Sequence, residues 1–326
     1  MTRRPTTHDV ARAAGVSAAT VSYVLNDSPG RRISEPTKLR VQEAARTLGY
    51  QPQLAGRSLR MGRSDVVVLV LPEWPIGTGL LAILEGLARE LTPHGFSLAI
   101  VHGAAEADAA NHVAQSIAPA AIIVFEPEQG RSRTPGGVPV MLGIGDEPGT
   151  FAGARYDYQR FLAGLQIDHL VAHGHQRIGY ARSSNERLRT FVTARTEGIL
   201  NAAARLGITD PPIFDMSDNL EDAQRALQFF REQGCTAIAA YNDETALPLL
   251  GAAQRLGISI PQELAVIGLD SMPAGAYSTP TLTTIWQDSH LMTRQWCDHV
   301  LSLINGTPSP SLAMDGIAEI IERESV

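Results

Sequence analysis

A small all-helical head followed by a two-lobed α/β body of doubly wound parallel sheets is the fold class this sequence predicts. Three observations carry the prediction. Within residues 1–64 the apolar residues recur at helical spacing between short polar breaks. From Val66 onward, short apolar runs alternate with longer amphipathic stretches, which is the pattern of strand–helix repeats packed into a parallel sheet covered on both faces. The roughly 260 residues of this second part exceed what the core of one such sheet holds, so two lobes are expected. Charge divides at the same place. The 326-residue chain has a net charge of −7, yet residues 1–64 carry 11 Lys/Arg against 4 Asp/Glu and the remainder carries 16 against 30. A basic head on an acidic body points to a polyanion partner for the head alone.

In the head, Thr7 is placed to cap a first helix from His8 to Ala14, with Asp9 favourable in its first turn. Gly15 ends that helix and Ser17 caps a second over Ala18–Asn26. There Val21, Val24 and Leu25 form the inward stripe, and Ala18, Ala19, Ser22 and Tyr23 face outward. Two short helices about a tight glycine turn are helix-turn-helix geometry, whose second helix fits the DNA major groove; a plain three-helix mini-domain shares the pattern. Ser34 caps a third helix with Val41, Ala44, Ala45 and Leu48 on one face, and Gly49 is its stop. Pro52 then opens Gln53–Arg60, about two helical turns long. Gly56 costs this segment about 1 kcal/mol relative to alanine, so a disordered linker is expected in the free protein. The domain boundaries that follow are 1–49 for the head, 50–64 for a linking segment and 65–326 for the body.

In the body, strands are expected at Val66–Leu71, Phe96–Val101, Ala121–Phe125, Val138–Leu142, Arg177–Ala181, Ala237–Tyr241 and Leu264–Leu269. Helical stretches run to His94 and Ile117, and then cover residues 159–173, 189–206, 220–233 and 243–256. Ligands of such sheets bind at the carboxyl ends of the strands, which places a site in the cleft between the lobes.

Other functions are excluded by what the sequence lacks. Two cysteines, Cys235 and Cys297, rule out a disulfide framework and look like small buried apolar residues. The N-terminal residues have no apolar core of a secretion signal, and no apolar run approaches the ~20 residues of a membrane span, so a soluble cytoplasmic protein is expected. No phosphate-binding loop, dinucleotide fingerprint or nucleophile elbow is present, so neither an enzyme nor a cofactor is implied. His169, His173 and His175 lie close in sequence, but no carboxylate stands in register on their helix and Gly174 reads as its stop, so no metal is expected.

The stretch DVARAAGVSAATVSYVLN, with ISEPTKLRVQEAARTLGYQPQLAGRSLRMGRS after it, closely resembles the head of the lactose-repressor (LacI) family of bacterial transcription factors, from His8 to Ser64. DHLVAHGHQRIGY, RTEG, YNDETALPLLGAAQRLGISIPQELAVIGLDS and TPTLTTIWQD resemble that family's sensor domain, itself similar to periplasmic sugar-binding proteins, and EIIERES resembles its closing strand. The resemblance implies a ligand-responsive repressor that binds double-stranded palindromic operator DNA as a homodimer and senses a small molecule in the cleft, a sugar before a nucleobase. It implies a hinge helix that folds only on operator DNA, with Leu59 as a minor-groove wedge and Gly56 where the family often has alanine. It places Ser17, Thr20, Ser22 and Asn26 on phosphates, Arg31, Arg32, Arg57 and Arg60 in the backbone attraction, and Ala18, Ala19 and Tyr23 at base edges. Effector contacts carried over by motif are Asp157, Arg195, Asn242 and Asp270, with Trp74 and Trp286 as stacking surfaces. The sequence departs from the family at Tyr158, in PEWPIGTG and between Phe125 and Val138, so the first-lobe half of the pocket has been rebuilt. A second reading keeps the cleft but makes the protein a cytoplasmic small-molecule binder or enzyme whose head serves dimerisation. Leu59 and the hinge arginines, which have no purpose in a solute binder, distinguish the two.

Overall fold

The computed structural model describes residues 5–25, 33–50, 62–71, 77–102, 106–125, 137–310, 312 and 316–326. The chain divides into two compact units, Met1–Ser64 and Asp65–Val326.

In the first unit, α1 (Thr7–Ala14), α2 (Ala18–Leu25) and α3 (Glu35–Leu48) close on a core of Val10, Ala11, Ala14, Val21, Val41 and Ala45. The cap of α1 is Thr6, not Thr7. Asp9 sets it: its carboxylate accepts from the Thr6 amide at 2.9 Å while the Thr6 hydroxyl accepts from the Asp9 amide at 3.4 Å, and this reciprocal box needs partners three positions apart. Thr7 instead shares a hydroxyl hydrogen bond with Tyr50 at 2.7 Å, tying α1 to the end of α3. Gly15 and Gly49 adopt the left-handed conformation at the two stops (φ 66° and 63°). Ser17 caps α2 by accepting from the Thr20 amide at 3.1 Å. Ser34 precedes α3, but its hydroxyl meets that of Thr37, whose amide already donates to the Ser34 carbonyl. Two positions correct the expected faces: Ala18 packs against the head core, and Leu48 is exposed.

The second unit runs β1 (Val66–Leu71), α4 (Thr78–Leu91), β2 (Ser97–His102), α5 (Glu106–Ile117), β3 (Ala121–Val124) and β4 (Val140–Leu142). It continues through α6 (Phe151–Ala172), β5 (Ile178–Ser183), α7 (Arg189–Leu206), β6 (Ile213–Met216), α8 (Leu220–Glu232), β7 (Ala237–Ala240), α9 (Asp243–Leu256), β8 (Ala265–Ile267), β9 (Thr284–Gln287), α10 (Ser289–Asn305) and β10 (Ala318–Ile321). Two parallel four-stranded sheets result, ordered β2-β1-β3-β4 and β6-β5-β7-β8, and β9 pairs with β10 antiparallel. Each sheet is covered on both faces. α4 and α10 pack on one face of the first and α5 on the other; α8 and α9 pack on one face of the second and α6 and α7 on the other. Strands buried on both faces need unbroken apolar runs, which explains why VVVLVL, AIIV and AIAA carry no alternation.

The expected bounds of α7 and α9 are those observed, whereas α6 begins at Phe151, eight residues before its expected start. Thr150 caps it, accepting from the Gly153 amide at 3.0 Å. The early turns escape periodicity because Arg155, Gln159 and Gln166 are buried along with the apolar residues. β6 and α10 were not expected as separate elements. α10 returns the chain to the first lobe, where Trp296, Cys297 and Val300 enter its core. Both cysteines are buried, and burial pushes the Cys235 thiol up to about 11. Among the described residues no helix is long and apolar enough to cross a membrane.

Helices α6 and α7 touch at Gly198, where an added Cβ would stand 2.2 Å from the Arg160 carbonyl oxygen. Backbone cannot yield as a side chain does. Gly198→Ala is therefore expected to destabilise the protein by about 1–3 kcal/mol in urea unfolding, and an unchanged midpoint would contradict the close approach.

Candidate functional site

In both sheets the strand order reverses beside the first strand, between β1 and β3 and between β5 and β7, and crevices in such folds open at the carboxyl ends of the strands there. The loops that leave those ends line a cavity of about 170 Å³. One water needs roughly 10–15 Å³ on this measure, so a small organic molecule fits. From the first lobe come Leu80 and Ile83 of α4, Phe125 after β3, and Gly143 and Ile144 after β4. From the second come Ser183 at the end of β5 and Asn185 after it, Arg195 of α7, Asp218 after β6, Tyr241 and Asn242 after β7, and Asp270 and Met272 after β8. Gln287, Met292 and Trp296 complete the wall, with Arg155 and Gln159 of α6.

Arg195 organises the second-lobe wall. It is 5% exposed, and its Nε donates to Gln159 Oε1 at 2.9 Å, Nη1 to the Tyr241 carbonyl at 2.7 Å and Nη2 to Asp270 Oδ1 at 3.2 Å. The guanidinium also lies 4.6 Å above the Tyr241 ring. Burial works against its charge, but Asp270, Tyr241 and Tyr180 outweigh burial and hold its pKa above the ordinary value. Asp270 also accepts from Gln287 Nε2 at 2.8 Å. Its backbone sits at φ 98°, a conformation costly for a residue with a Cβ, which aims the carboxylate into the cavity.

Two further carboxylates share this wall. Burial raises the pKa of Asp218, which accepts from the Thr245 hydroxyl at 2.9 Å. Burial, then Asp218 and Asp270, raise that of Glu244, with a hydrogen bond from Asn242 opposing the shift. Asn242 caps α9, its Oδ1 accepting from the Thr245 amide at 3.0 Å. Glu244 faces the N-terminus of α4 in the other lobe, where a Cβ on Gly77 would lie 3.1 Å from Oε1. The opposite side of the cavity is apolar and aromatic, with Trp296 tilted against Phe125 at 5.5 Å.

Arg155 differs from Arg195. It is also 5% exposed, but among the described residues no carboxylate pairs with it. Its contacts are the Met292 sulfur at 3.2 Å and the Tyr158 ring at 4.8 Å, and burial lowers its pKa to about 10.

Of the effector residues expected from motif, Arg195, Asn242 and Asp270 line this cavity together. Asp157 does not. It lies between Arg155 and Gln159 on α6, about 200° around the axis from each, so it points to solvent, 68% exposed and paired with Arg160 at 3.1 Å. Trp286 does not either. Neighbouring strand residues face opposite ways, so Gln287 enters the cavity and Trp286 is 40% exposed. Arg155, Gln159, Asp218, Glu244, Gln287 and Trp296 were missed. The i, i+4 spacing of Arg155 and Gln159 is the one local signal that could have joined any of them.

In the head, α2 presents Ala19, exposed, beside half-exposed Thr20, Ser22 and Tyr23. Ala18 is half-buried against the core, which removes it from the outward set. Ser17 is exposed next to the α2 N-terminus, where amides remain for an anion. Asn26, Arg31, Arg32, Gly56, Arg57, Leu59, Arg60 and Trp74 lie outside the described residues.

Residues 6–53 match the family model for bacterial regulatory proteins of the lacI family, and residues 167–326 match that for the periplasmic binding protein-like domain. The transcriptional regulator GalR of Salmonella typhimurium (strain SL1344) is 30% identical over 98% of this chain and 96% of its own length. The transcriptional repressor CytR of Escherichia coli (strain K12) is 28% identical over 89% and 87%. Among solved structures, a Lac repressor dimer bound to operator and the anti-inducer ONPF superposes with a TM-score of 0.78 at 21% identity, covering 99% of both chains. The CelR–cellobiose complex superposes at 0.63 and 22% identity, over 99% of this chain and 100% of that one. A helix-turn-helix head, a two-lobed body with its cleft at the strand ends, and a relative matched from end to end lead to one conclusion: this chain belongs to the lacI family of bacterial regulatory proteins.

Proposed function

We propose that this regulator is an effector-controlled repressor that acts in the cytoplasm and binds a palindromic operator as a homodimer. The observation that carries this reading is the pairing, in one chain, of an exposed recognition helix with a cavity able to hold a small polyhydroxyl compound. Three carboxylates, four amides and buried guanidiniums face an aromatic and apolar wall, a combination that suits a sugar ring, whose edge donates and accepts hydrogen bonds and whose faces are apolar. The neighbour that binds cellobiose supports the same ligand class. Arg195, Asn242 and Asp270 take the effector's hydroxyls, and Arg155, a donor without a carboxylate partner, takes an acceptor oxygen. Leu81, Ile100 and Ile117 are exposed on the first lobe and supply apolar surface for a dimer.

On DNA, Ser17, Thr20 and Ser22 hold phosphates while Ala19 and Tyr23 reach base edges, Ala19 against thymine methyls. The effector changes the relation of the lobes and thereby the spacing at which two hinges begin. A coupling of about 1–3 kcal/mol would alter operator affinity about 5–150-fold.

Selection of bound sequences from random double-stranded DNA at physiological salt tests the reading. An enriched palindrome with half-sites about one helical turn apart is expected. Sequence-blind binding with or without a pool of sugars would overturn it in favour of a solute binder. Leu59→Ala is expected to weaken operator binding at least about tenfold and leave effector affinity unchanged, because the wedge offsets the cost of unstacking a base step only on DNA. Equal losses in both would remove Leu59 from the hinge.

A further inference from the structure

Away from the cleft, His169 and His173 stand one turn apart at the end of α6, with ring centroids 4.3 Å apart. Glu322, the residue after β10, brings Oε1 to 3.2 Å from His173 Nε2 and 4.0 Å from His169 Nε2. The backbone around it is held in place: the Arg323 amide donates to Thr283 Oγ1 at 2.9 Å, and the Ser325 hydroxyl donates to the Val266 carbonyl at 2.6 Å.

The protonation pattern of this group is informative. His173 Nδ1 lies 2.9 Å from the His169 carbonyl oxygen, which can only accept, so Nδ1 carries the hydrogen and Nε2 of the neutral ring is a lone pair. That lone pair faces a carboxylate oxygen. His169 Nε2 is sealed from solvent and has no hydrogen-bond partner, on a side chain only 7% exposed. A cation shared by all three gives His169 Nε2 the partner it lacks.

We propose that His169, His173 and Glu322 bind a divalent transition-metal ion, zinc by the chemistry of the donors, and that the ion fastens the C-terminal segment to the end of α6. Two imidazoles and a carboxylate with a fourth position for water are a zinc donor set, with bonds of about 2.0–2.2 Å. Tetrahedral ligands at that length stand about 3.3 Å apart. The His173–Glu322 separation already meets this, all three donor atoms lie within 4.8 Å of one another, and the exposed Glu322 side chain is free to close the remainder. The hydrogen bond from His173 Nδ1 to the helix backbone fixes ring and tautomer as supporting bonds do in metal sites. His175 is excluded, because its Nδ1 is turned to the Thr236 hydroxyl at 2.9 Å. The sequence alone argued against a metal because the carboxylate comes from the far end of the chain and not from the histidines' own helix.

The test uses the full-length chain without an affinity tag, stripped with chelator and titrated with zinc chloride and, separately, with cobalt(II). Expected are one zinc bound per chain, a rise in melting temperature that chelator reverses, and the visible absorption of four-coordinate cobalt. His173→Ala and Glu322→Gln alter exposed groups and should each weaken zinc binding at least tenfold while the metal-free melting temperature stays unchanged. His175→Ala should bind zinc as the parent does. The proposal is overturned if no zinc is retained, if both variants bind it as the parent does, or if His175→Ala loses it equally.

Discussion

Arg195→Ala should lower the stability of the protein by about 3–5 kcal/mol and abolish effector binding with it. The guanidinium is buried and serves three acceptors on three elements: Gln159 on α6, the Tyr241 carbonyl after β7 and Asp270 after β8. Removing it leaves Asp270 without its cation, close to the carboxylates of Asp218 and Glu244, and leaves a buried amide oxygen and carbonyl unpaired. Truncating one partner of a buried charge pair exposes the other to the full cost of its burial, which is why the effect exceeds that of an ordinary hydrogen bond, about 1 kcal/mol. Arg195→Lys keeps the charge but not the planar fork, and should fall between parent and alanine variant. Urea unfolding measures all three. A midpoint for Arg195→Ala equal to the parent's would show that the three bonds do not hold the wall together.

Arg155→Met should have the opposite sign. The effector-free protein is expected to gain about 1–3 kcal/mol of stability while affinity for the effector drops at least tenfold. Arg155 is as buried as Arg195, yet its neighbours are a methionine sulfur and a tyrosine ring. A buried cation costs several kcal/mol in lost hydration, and a cation–π contact returns about 2 kcal/mol at best. Methionine fills a similar volume, needs no donor or acceptor and packs against Met292 without strain. Arg155 lines the cavity, so its burial cost is expected to be offset when an acceptor oxygen of the effector enters. Thermal melts without effector, read beside binding isotherms, separate the two effects. Reduced stability together with unchanged affinity would make Arg155 a structural residue and remove it from the site.

The contrast between these arginines marks the limit of sequence reading. Both are single arginines preceded by alanine, and nothing local distinguishes them. Motif pointed to Arg195, and the cavity contains it. Motif also pointed to Asp157, two residues beyond Arg155 and on the wrong side of the helix. On α6 the usual guide to facing fails, because Arg155, Gln159 and Gln166 are buried while Phe161 is exposed, so the pattern of polar and apolar residues does not mark the solvent face. In the head the guide works: one face of each short helix is apolar, and the core of Val10, Val21 and Val41 was visible in their spacing. There the errors were single positions: the faces of Ala18 and Leu48, and the cap, where Asp9 three positions on decides for Thr6.

By itself the sequence determined the division into a basic helical head and an acidic α/β body, the strands at Val66, Ala121 and Ala237, and helices α7 and α9 with their ends. These depend on apolar runs, on the 3.6-residue period and on caps within four residues, all of which are local. The tertiary structure alone decided that α10 returns to the first lobe, that Gln287 and not Trp286 meets the cavity, and that Glu322 stands against His169 and His173. Each of these joins residues distant along the chain, and their meeting is set by how sheets and helices pack, which no local period records.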